Sequence, residues 1–407
     1  HYNALTANFA LNESFLVTAQ LRPSVVSLAE SLGYIPDSKK SAEATINFSI
    51  NLLGAEDLDS QYTIQPGELV LRGVMNGIDY TFTNRTELRG VAENSNYTFS
   101  PASNPDEPVF VYEGEERTQD FIVGNAKDVV YVIPDQDIDI STAIVRVFED
   151  QFSSSVDGGS EYAVYTNLVD ATAINASSRL YVLRESPNGF YELSFGNGTS
   201  LGLAPSPGNV VSVNYLRTSG SAANGIEKLD PVSQISFGDY VVDPDDISTN
   251  LKGNTRSAGG ADKEGIESIR ANAPFQYAAQ NRMVTANDYS SLILKKYSSF
   301  IEDIQSWGGE DDPEPDYGTV FTSIVWSSGI SATTISNTRL SILNLADQYS
   351  IASFNLTFVD PVETYLGVDV FFQYNPSLSN FTESTIRSAV GDSVLEYFET
   401  NTGKFDQ

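Results

Sequence analysis

Cysteine is absent from the 407 residues, and histidine occurs only once, at His1. The interior of the chain therefore cannot form disulfides, zinc sites made of cysteine and histidine, cysteine nucleophiles or Ser-His-Asp relays. No apolar run approaches the length of about 18 residues that a membrane-spanning helix needs, so we predict no membrane partner. The reactive side chains that remain are carboxylates, lysines and tyrosines.

Positive charge is also scarce, with 23 Lys and Arg against 54 Asp and Glu and a net charge of −31 at pH 7. Binding to nucleic acid requires clustered Lys and Arg that neutralise phosphates, so we predict no nucleic-acid partner. Identical subunits with this charge repel one another, and their contacts must rely on apolar or charge-complementary patches within a Debye length of about 10 Å. We therefore expect basic partner surfaces or a salty environment.

Hydrophobic periodicity predicts an α+β fold with short N-terminal helices, a long β-rich body and a mixed α/β region. Asn12 is expected to begin a first helical turn, and Pro23 to stand in the first turn of a helix that ends before Gly33. From residue 44 the apolar period changes to two, and Asn76-Gly77 predicts a two-residue hairpin turn. The strands predicted after it are Pro108–Glu113, Phe121–Val123, Val129–Ile133, Ala143–Phe148, Tyr162–Tyr165, Arg179–Arg184, Tyr191–Phe195 and Val210–Tyr215.

The chain from 218 to 316 mixes linkers with helices. Gly, Ser, Asn and Asp are frequent up to residue 265 and predict linkers around one short strand pair at Val232–Val242. A helix that starts near Ile266 is predicted to end before Pro274. Thr285 and Asp288 predict a capping box at the start of the next helix. A strand over Ile301–Trp307 is expected to follow it.

The end of the chain predicts the order strand, helix, strand, strand, helix, which is most of a ferredoxin-like βαββα unit. Its elements are Val320–Trp326, Thr338–Tyr349, Phe354–Val359, Leu366–Tyr374 and a helix that opens after Thr382. One strand of the unit is missing, so we expect the natural polypeptide to continue past Gln407. We divide the chain into an N-terminal helical segment (1–43), a β-rich body (44–230), a linker and helical region (231–316) and a truncated ferredoxin-like α/β domain (317–407).

Two acidic clusters are candidate ion-binding sites. Asp135, Asp137 and Asp139 alternate as in a calcium loop, but Ile140 stands at the sixth position and Arg146 at the twelfth, where glycine and glutamate are needed. Their alternation favours the wet face of a strand or turn. The acidic loop 310–316 is predicted to be solvated, and a cation site there stays an alternative.

Glycines at 196, 198 and 202 resemble a phosphate cradle, but the segment leads into Pro205 and Pro207 instead of the helix whose amides would hold a phosphate. A dinucleotide-binding fold is therefore disfavoured, and the glycines are expected to supply turns. The sequence predicts no catalytic, cofactor-binding or metal-ligating residue.

Three stretches resemble the baseplate J-like family. The first contains Phe195-Gly196-Asn197-Gly198, Gly202, Pro205, Gly208-Asn209, Thr218, Gly220 and Asn224-Gly225. The second contains Ile269-Arg270, Ala273-Pro274, Asn281-Arg282, Val284-Thr285 and Asp288-Tyr289. The third contains Trp307-Gly308-Gly309-Glu310-Asp311 and Tyr317-Gly318. Residues 12–34 further resemble the baseplate wedge subunit of T-even-type contractile-tailed phages.

The resemblance implies a non-enzymatic structural virion protein of the tail baseplate, assembled in the host bacterial cytoplasm. It implies a homodimer that contacts other baseplate wedge proteins and sheath-initiating proteins around the tail hub, and that relays host attachment to sheath contraction. It implies no cofactor and no small-molecule substrate.

Three questions stay open at the level of sequence. A receptor-binding or adhesin-type tail protein would have a similar composition. A carboxylate-dependent virion glycosidase would need a deep cleft with two carboxylates about 5–10 Å apart. The N-terminal helices are too short to bury their apolar faces alone, and they either dock into the helices of a neighbouring subunit or pack on their own β-rich body.

Overall fold

A computed structural model describes residues 2–51, 61–93, 96–102, 105, 108–125, 129–149, 162–168, 174–237, 240–251, 256–279, 282–297, 300–312, 315–327, 330, 332–350, 354–362, 370–371 and 382–401. The fold is mixed, with 24% helix and 41% strand, which confirms a β-rich chain with a few helices. The chain forms two compact units, His1–Gln280 with Ser328–Ser336, and Asn281–Ser327 with Asn337–Gln407. The division of the sequence at residues 43, 230 and 316 stays a prediction.

Six α-helices lie in the described part of the chain. They are α1 (Tyr2–Asn12), α2 (Arg22–Ser31), α3 (Ile266–Ala279), α4 (Ala286–Tyr297), α5 (Ala332–Tyr349) and α6 (Glu383–Asn401). Pro23 stands at the start of α2, and Gly33 follows its end with a φ of +84°, as predicted.

Two helix boundaries differ from the prediction. Asn12 ends α1 instead of beginning a helical turn, because the Ala and Leu residues before it favour a helix upstream. Pro274 lies inside α3. The helix continues through it because Ile269 and Ala273 are fully buried against α2, and this packing offsets the hydrogen bond that proline cannot donate.

The first unit contains a nine-stranded sheet, here called sheet 1. Its strands are β1 (Glu43–Asn51), β2 (Gln61–Ile64), β3 (Val70–Met75), β4 (Ile78–Asn84), β5 (Leu88–Glu93), β6 (Asn96–Pro101), β7 (Val109–Glu113), β15 (Leu229–Pro231) and β18 (Ile247–Leu251). The order is β15-β3-β4-β7-β1-β6-β5-β2, and β18 pairs with β1. Asn76 and Gly77 join β3 to β4 at φ angles of +51° and +77°, so the predicted two-residue hairpin is confirmed.

The same unit contains a seven-stranded sheet, here called sheet 2. Its strands are β8 (Glu115–Ile122), β9 (Tyr131–Ile133), β10 (Ile138–Phe148), β11 (Tyr162–Asn167), β12 (Leu180–Glu185), β13 (Tyr191–Phe195) and β14 (Val210–Arg217), in the order β8-β14-β10-β11-β12-β13-β9. Every strand predicted between residues 108 and 215 is present; Tyr191–Phe195 has the predicted ends, and the ends of the other strands are shifted. The predicted pair at Val232–Val242 is the hairpin of β16 (Ile235–Phe237) and β17 (Tyr240–Val242).

Each sheet has its own apolar core. Sheet 1 buries residues such as Phe48, Phe82 and Tyr97, and the rings of Phe48 and Phe99 lie 4.6 Å apart. Sheet 2 buries Ile133, Val145 and Leu193 among others. Alternating apolar positions therefore line the inner face of each sheet, as the period of two predicts.

The second unit contains a three-stranded sheet in the order β19 (Ile301–Gly308), β20 (Thr319–Trp326), β21 (Asn355–Val359), packed with α4 and α5. β20 and β21 are direct parallel neighbours, whereas a split βαβ unit has a strand between them. The ferredoxin-like detail is therefore not confirmed. The predicted strand Leu366–Tyr374 lies outside the described residues except for Val370 and Phe371. The helix predicted after Thr382 is α6, and the Thr382 hydroxyl accepts the Thr385 N–H.

Candidate functional site

The N-terminal segment is fastened to the body of the first unit through α2. Val25 and Ala29 are completely buried, and they share a small core with Ile269 and Ala273 of α3 and with Tyr34. Because α2 presents its apolar face to α3, it is already partnered within its own chain. This helix therefore packs within its own chain on α3, whereas the alternative stated from the sequence was packing on the β-rich body.

A polar group around the buried Glu185 carboxylate, here called the N-terminal joint, consists of Arg22, Glu185, Lys263 and Glu264. The Arg22 guanidinium donates two hydrogen bonds of 2.8 Å to the Glu185 carboxylate and one of 2.5 Å to the Glu264 carbonyl. The Lys263 ammonium lies 3.1 Å from the same carboxylate. The hydrogen bonds to Glu185 raise the pKa of Arg22. The side chain of Glu185 is only 4% exposed, so it depends on these two cations for its charge compensation.

Glu264 and Arg270 attach the ends of the same segment to α3. The Glu264 carboxylate accepts the Tyr34 hydroxyl at 2.6 Å and the Asp37 N–H at 3.1 Å. Arg270 donates to the carbonyls of Leu16 at 3.1 Å and of Ala19 at 2.6 Å. Charge-assisted bonds of this kind hold backbone groups in fixed positions, so the turn between α1 and α2 is fixed on the first unit.

The residues before α2 expose apolar side chains, here called the N-terminal apolar segment. Its members and their exposed fractions are Phe9 49%, Leu11 58%, Phe15 59%, Val17 77% and Leu21 49%. Docking into a neighbouring subunit therefore stays a prediction for the segment before α2. The apolar face of α2 itself is already covered by its own chain. Five exposed apolar side chains within thirteen residues form an exposed apolar patch, which is typical of protein–protein interaction sites.

The buried carboxylates Glu113 and Asp139 and the mostly buried Arg85 connect sheet 1 and the residues that flank it to sheet 2, and we call these three side chains the sheet junction. Glu113 of β7 accepts the Thr218 hydroxyl at 2.6 Å and the Ser219 N–H at 3.1 Å. Arg85, after β4, donates to the Thr142 carbonyl at 3.0 Å and lies 3.3 Å from Glu116. Asp139 of β10 accepts the Ser41 N–H at 2.8 Å. Together these bonds fix how the two sheets meet.

The aspartates 135, 137 and 139 do not share one environment. The interpretation that all three lie on a wet face is wrong for Asp139, which is 2% exposed and accepts hydrogen bonds from Ser41 and Ser141. Asp137 lies 3.0 Å from Lys39 and 3.6 Å from Arg217. Residues that are distant in sequence therefore bury Asp139 and pair Asp137 with two cations. Within the described ranges, no group of three or more acidic or histidine side chains is arranged to hold a metal ion.

Glu43 is a carboxyl group of the first unit whose pKa departs from its ordinary value. It opens β1 opposite Tyr112 of β7, and burial raises its pKa to about 7. Burial likewise raises the pKa of Tyr112. A carboxyl that resists ionisation in the folded chain makes stability depend on pH.

The glycine segment 196–202 is a closed turn. The Asn197 side-chain oxygen accepts the N–H groups of residues 199, 200 and 201 at 2.9–3.0 Å, and Gly198 donates to the Gly202 carbonyl. A Cβ on Gly196 would lie 2.0 Å from the Leu201 carbonyl oxygen. The amides that would hold a phosphate are therefore used by the chain itself, in agreement with the predicted turn.

In the second unit, the predicted capping box and acidic loop both have internal partners. Thr285 N–H donates to Asp288 at 2.8 Å, and Asp288 N–H donates to the Thr285 hydroxyl at 3.3 Å, which confirms the box. The Trp307 indole donates to Asp312 at 3.0 Å, and the Thr319 hydroxyl donates to Asp316 at 2.8 Å. Two carboxylates of the loop thus stabilise the hairpin of β19 and β20.

A surface depression at the start of α6 is lined by Glu383, Arg387, Thr382, Ser384 and Ser388. Among the described residues that line it, Glu383 is the single carboxylate, and it lies 3.0 Å from Arg387; a glycosidase needs two facing carboxylates. None of the described helices combines the length and apolarity required to cross a bilayer.

The N-terminal joint was not found from the sequence. Arg22 and Glu185 are 163 residues apart, and Lys263 follows a further 78 residues later, so no local spacing links them. A single weak signal exists, because Glu185 follows the apolar Tyr181 and Leu183 at every second position and so lies on the inner face of β12. A charged residue at such a position predicts a partner but does not name it.

Comparison with known proteins gives a consistent similarity. Residues 285–357 match the family profile described as "Baseplate structural protein gp6, C-terminal domain I". Baseplate wedge protein gp6 of Enterobacteria phage T4 is 25% identical over 415 aligned positions, which cover 96% of this chain and 57% of that protein. The chain thus spans little more than half of the length of this curated relative. The resemblance to baseplate wedge subunits of T-even-type phages is confirmed.

Two solved assemblies contain chains that align with this one at low structural similarity. A chain of the anti-feeding prophage (AFP) baseplate is 14% identical with a TM-score of 0.29, covering 83% of this chain and 60% of that one. A chain of the type VI secretion system TssK-TssF-TssG baseplate subcomplex is 7% identical with a TM-score of 0.37. The alignment covers 92% of this chain and 100% of that one. TM-scores of this size do not establish a shared fold.

Proposed function

We propose that this chain, which resembles a baseplate wedge protein along most of its length, is a non-enzymatic structural subunit of a phage tail baseplate. The observation that carries the proposal is its similarity to baseplate wedge protein gp6. In this proposal two copies pair, contact other wedge and sheath-initiating proteins around the tail hub, and relay host attachment to sheath contraction. The subunit assembles in the host cytoplasm and acts in the virion without nucleic acid, membrane, cofactor or small-molecule substrate.

The N-terminal apolar segment is the surface that we assign to subunit contact. Its apolar side chains are exposed, yet the turn that carries Phe15 and Val17 is fastened to α3 by Arg270, which donates to the carbonyls of Leu16 and Ala19. An apolar surface on a fixed support loses little conformational entropy when a partner binds. This combination supports docking into the helices of a neighbouring subunit.

The net charge of −31 constrains that contact. Two copies approach each other against repulsion that salt screens, so self-association through an apolar segment should strengthen when salt is raised. Contact with a basic wedge protein should weaken under the same change. Salt dependence therefore distinguishes the two kinds of partner.

Light scattering of the purified chain tests the proposal, first alone and then with the tail proteins encoded beside it, at low and at physiological salt. We expect a dimer or a stable complex with those proteins. A monomer that binds none of them would contradict the wedge role, and glycan binding by that monomer would favour the adhesin-type alternative.

Matched variants locate the contact. Phe15→Ser and Val17→Ser remove apolar area from the N-terminal apolar segment, whereas Val91→Ser and Val241→Ser change valines that are 52% and 59% exposed elsewhere on the first unit. Each lost side chain should weaken association by about tenfold if it is buried on binding. Equal effects of both pairs would show that the segment is not the contact.

A further inference from the structure

The sequence contains four Asn-Gly pairs, at Asn76, Asn188, Asn197 and Asn224, and the structure separates them chemically. In such a pair the backbone nitrogen of glycine can attack the asparagine side chain, because glycine has no Cβ to obstruct the approach. The reaction requires a glycine N–H that is free of an acceptor and an asparagine side chain that can turn. The hydrogen bonds of the described residues therefore determine which pairs can react.

In three of the four pairs, the glycine N–H already donates a hydrogen bond, which protects the pair from this reaction. Gly189 donates to the Ser186 carbonyl at 2.8 Å, Gly198 to the Gly202 carbonyl at 2.9 Å, and Gly225 to the Ser257 carbonyl at 2.7 Å. A nitrogen that donates in this way is held away from its own asparagine side chain, and the bond must break before the nitrogen can react.

Two of these three pairs are also held by the asparagine side chain. Asn224 donates to the Gly260 carbonyl and accepts the Gly260 N–H, both at 2.8 Å. Asn197 accepts three backbone N–H groups of its own turn. In both, the carbon that the nitrogen would attack is fixed by further hydrogen bonds.

Neither of these two kinds of hydrogen bond is found at Asn76-Gly77 within the described residues. Both residues are exposed at the tip of the hairpin of β3 and β4, and no acceptor in the described part of the chain takes the Gly77 N–H. A Cβ at Gly77 would meet no heavy atom within 4 Å, so the space around the turn is open. The neighbours Val74 and Ile78 are 50% and 57% exposed, which makes local opening of the tip easy.

We infer that Asn76 is a site of spontaneous deamidation, selected by the fold from the four Asn-Gly pairs. The deprotonated Gly77 nitrogen attacks Asn76 Cγ, a C–N bond forms, the Cγ–Nδ2 bond breaks, and ammonia leaves. Water then opens the five-membered imide at either carbonyl, which yields aspartate or isoaspartate. No oxidant or reductant takes part.

The modification changes the hairpin in two ways. It adds a negative charge three residues before Asp79, which lies 3.6 Å from Arg72. The isoaspartate product also lengthens the backbone by one carbon within a two-residue turn whose geometry requires positive φ at both positions. The pairing of β3 with β4 should loosen from the tip inwards.

Peptide mapping by mass spectrometry tests the inference after the folded chain has been incubated in mildly alkaline buffer at physiological temperature. Asn76 should convert about threefold or more faster than Asn188, and faster still than Asn197 and Asn224, since each hydrogen bond contributes a factor of roughly two to ten. A second sample kept in urea should convert all four sites at similar rates, because selection by the fold is then lost.

Asn76→Gly is the matched control, because glycine tolerates the positive φ of this turn position and has no side chain to react. It should fold normally and remove the fastest-appearing product. The inference is overturned if any other pair reacts as fast as Asn76 in the folded chain. It is also overturned if Asn76 stays unmodified when folded while the same site reacts in urea.

Discussion

Removal of Arg22 should destabilise the first unit far more than removal of an exposed arginine. In Arg22→Ala, the one cation that the described residues leave beside the Glu185 carboxylate is Lys263, at 3.1 Å, while the Glu185 side chain is 4% exposed. Loss of one partner from a fully buried ion pair costs about 3–5 kcal/mol. Because Lys263 remains and the Arg22 side chain is 25% exposed, we expect a loss of about 2–3 kcal/mol.

Urea denaturation measures this loss as a shift of the midpoint at unchanged slope. Arg117→Ala is the matched control on the same unit, since Arg117 and Glu115 are 47% and 62% exposed although their ion pair is 2.7 Å long. That pair should contribute at most about 0.5–1 kcal/mol. Arg22→Lys keeps the charge but loses the two-pronged contact, so its effect should lie between the other two.

The double variant Arg22→Ala with Glu185→Gln separates an orphaned charge from lost packing. Replacing the carboxylate by an amide removes the uncompensated buried charge, so the double variant should be more stable than the sum of the two single changes by about 1–2 kcal/mol. Equal losses in Arg22→Ala and Arg117→Ala would refute the reasoning, and so would strict additivity in the double variant.

Two further predictions concern Glu43 and the glycines of the second unit. The folded-state pKa of Glu43 is raised from 4.5 to about 7, so its contribution to stability is complete below about pH 4.5 and is lost as pH rises through 7. As the pH rises from about 5 to about 8, the free energy of unfolding of Glu43→Gln should rise by roughly 1–3 kcal/mol relative to that of the chain with Glu43, as measured by urea titration. A difference that stays constant with pH would contradict this. A Cβ on Gly309 would lie 1.8 Å from the Asp316 carbonyl oxygen, whereas one on Gly391 meets nothing within 4 Å. In thermal unfolding, Gly309→Ala should lower the free energy of unfolding by about 2–4 kcal/mol. Gly391→Ala in α6 should raise it by about 0.5–1 kcal/mol. Similar shifts for both variants would argue against the close approach at Gly309.

Local sequence signals predicted the elements that depend on local physics. Asn76-Gly77 specifies a two-residue hairpin because only residues that tolerate positive φ fit there, and Thr285 with Asp288 specifies a helix start because their side chains reach the free N–H groups of one turn. Alternating apolar residues marked the buried strands of sheet 2. The edge strand β8 begins earlier than predicted, at Glu115, because an edge strand pairs on one side only and its polar residues need no burial.

Tertiary structure decided everything that depends on residues far apart in sequence. The local pattern of Pro274 predicts a helix end, yet contact with α2 keeps α3 helical through it. Asp139 alternates like a surface aspartate, yet Ser41 reaches it and sheet packing buries it. The sequence by itself determined the β-rich class, the hairpin and helix signals and the resemblance to baseplate wedge proteins. The tertiary structure alone decided which charges are buried together, because their pairing energy depends on distance and desolvation, and neither is encoded in spacing along the chain.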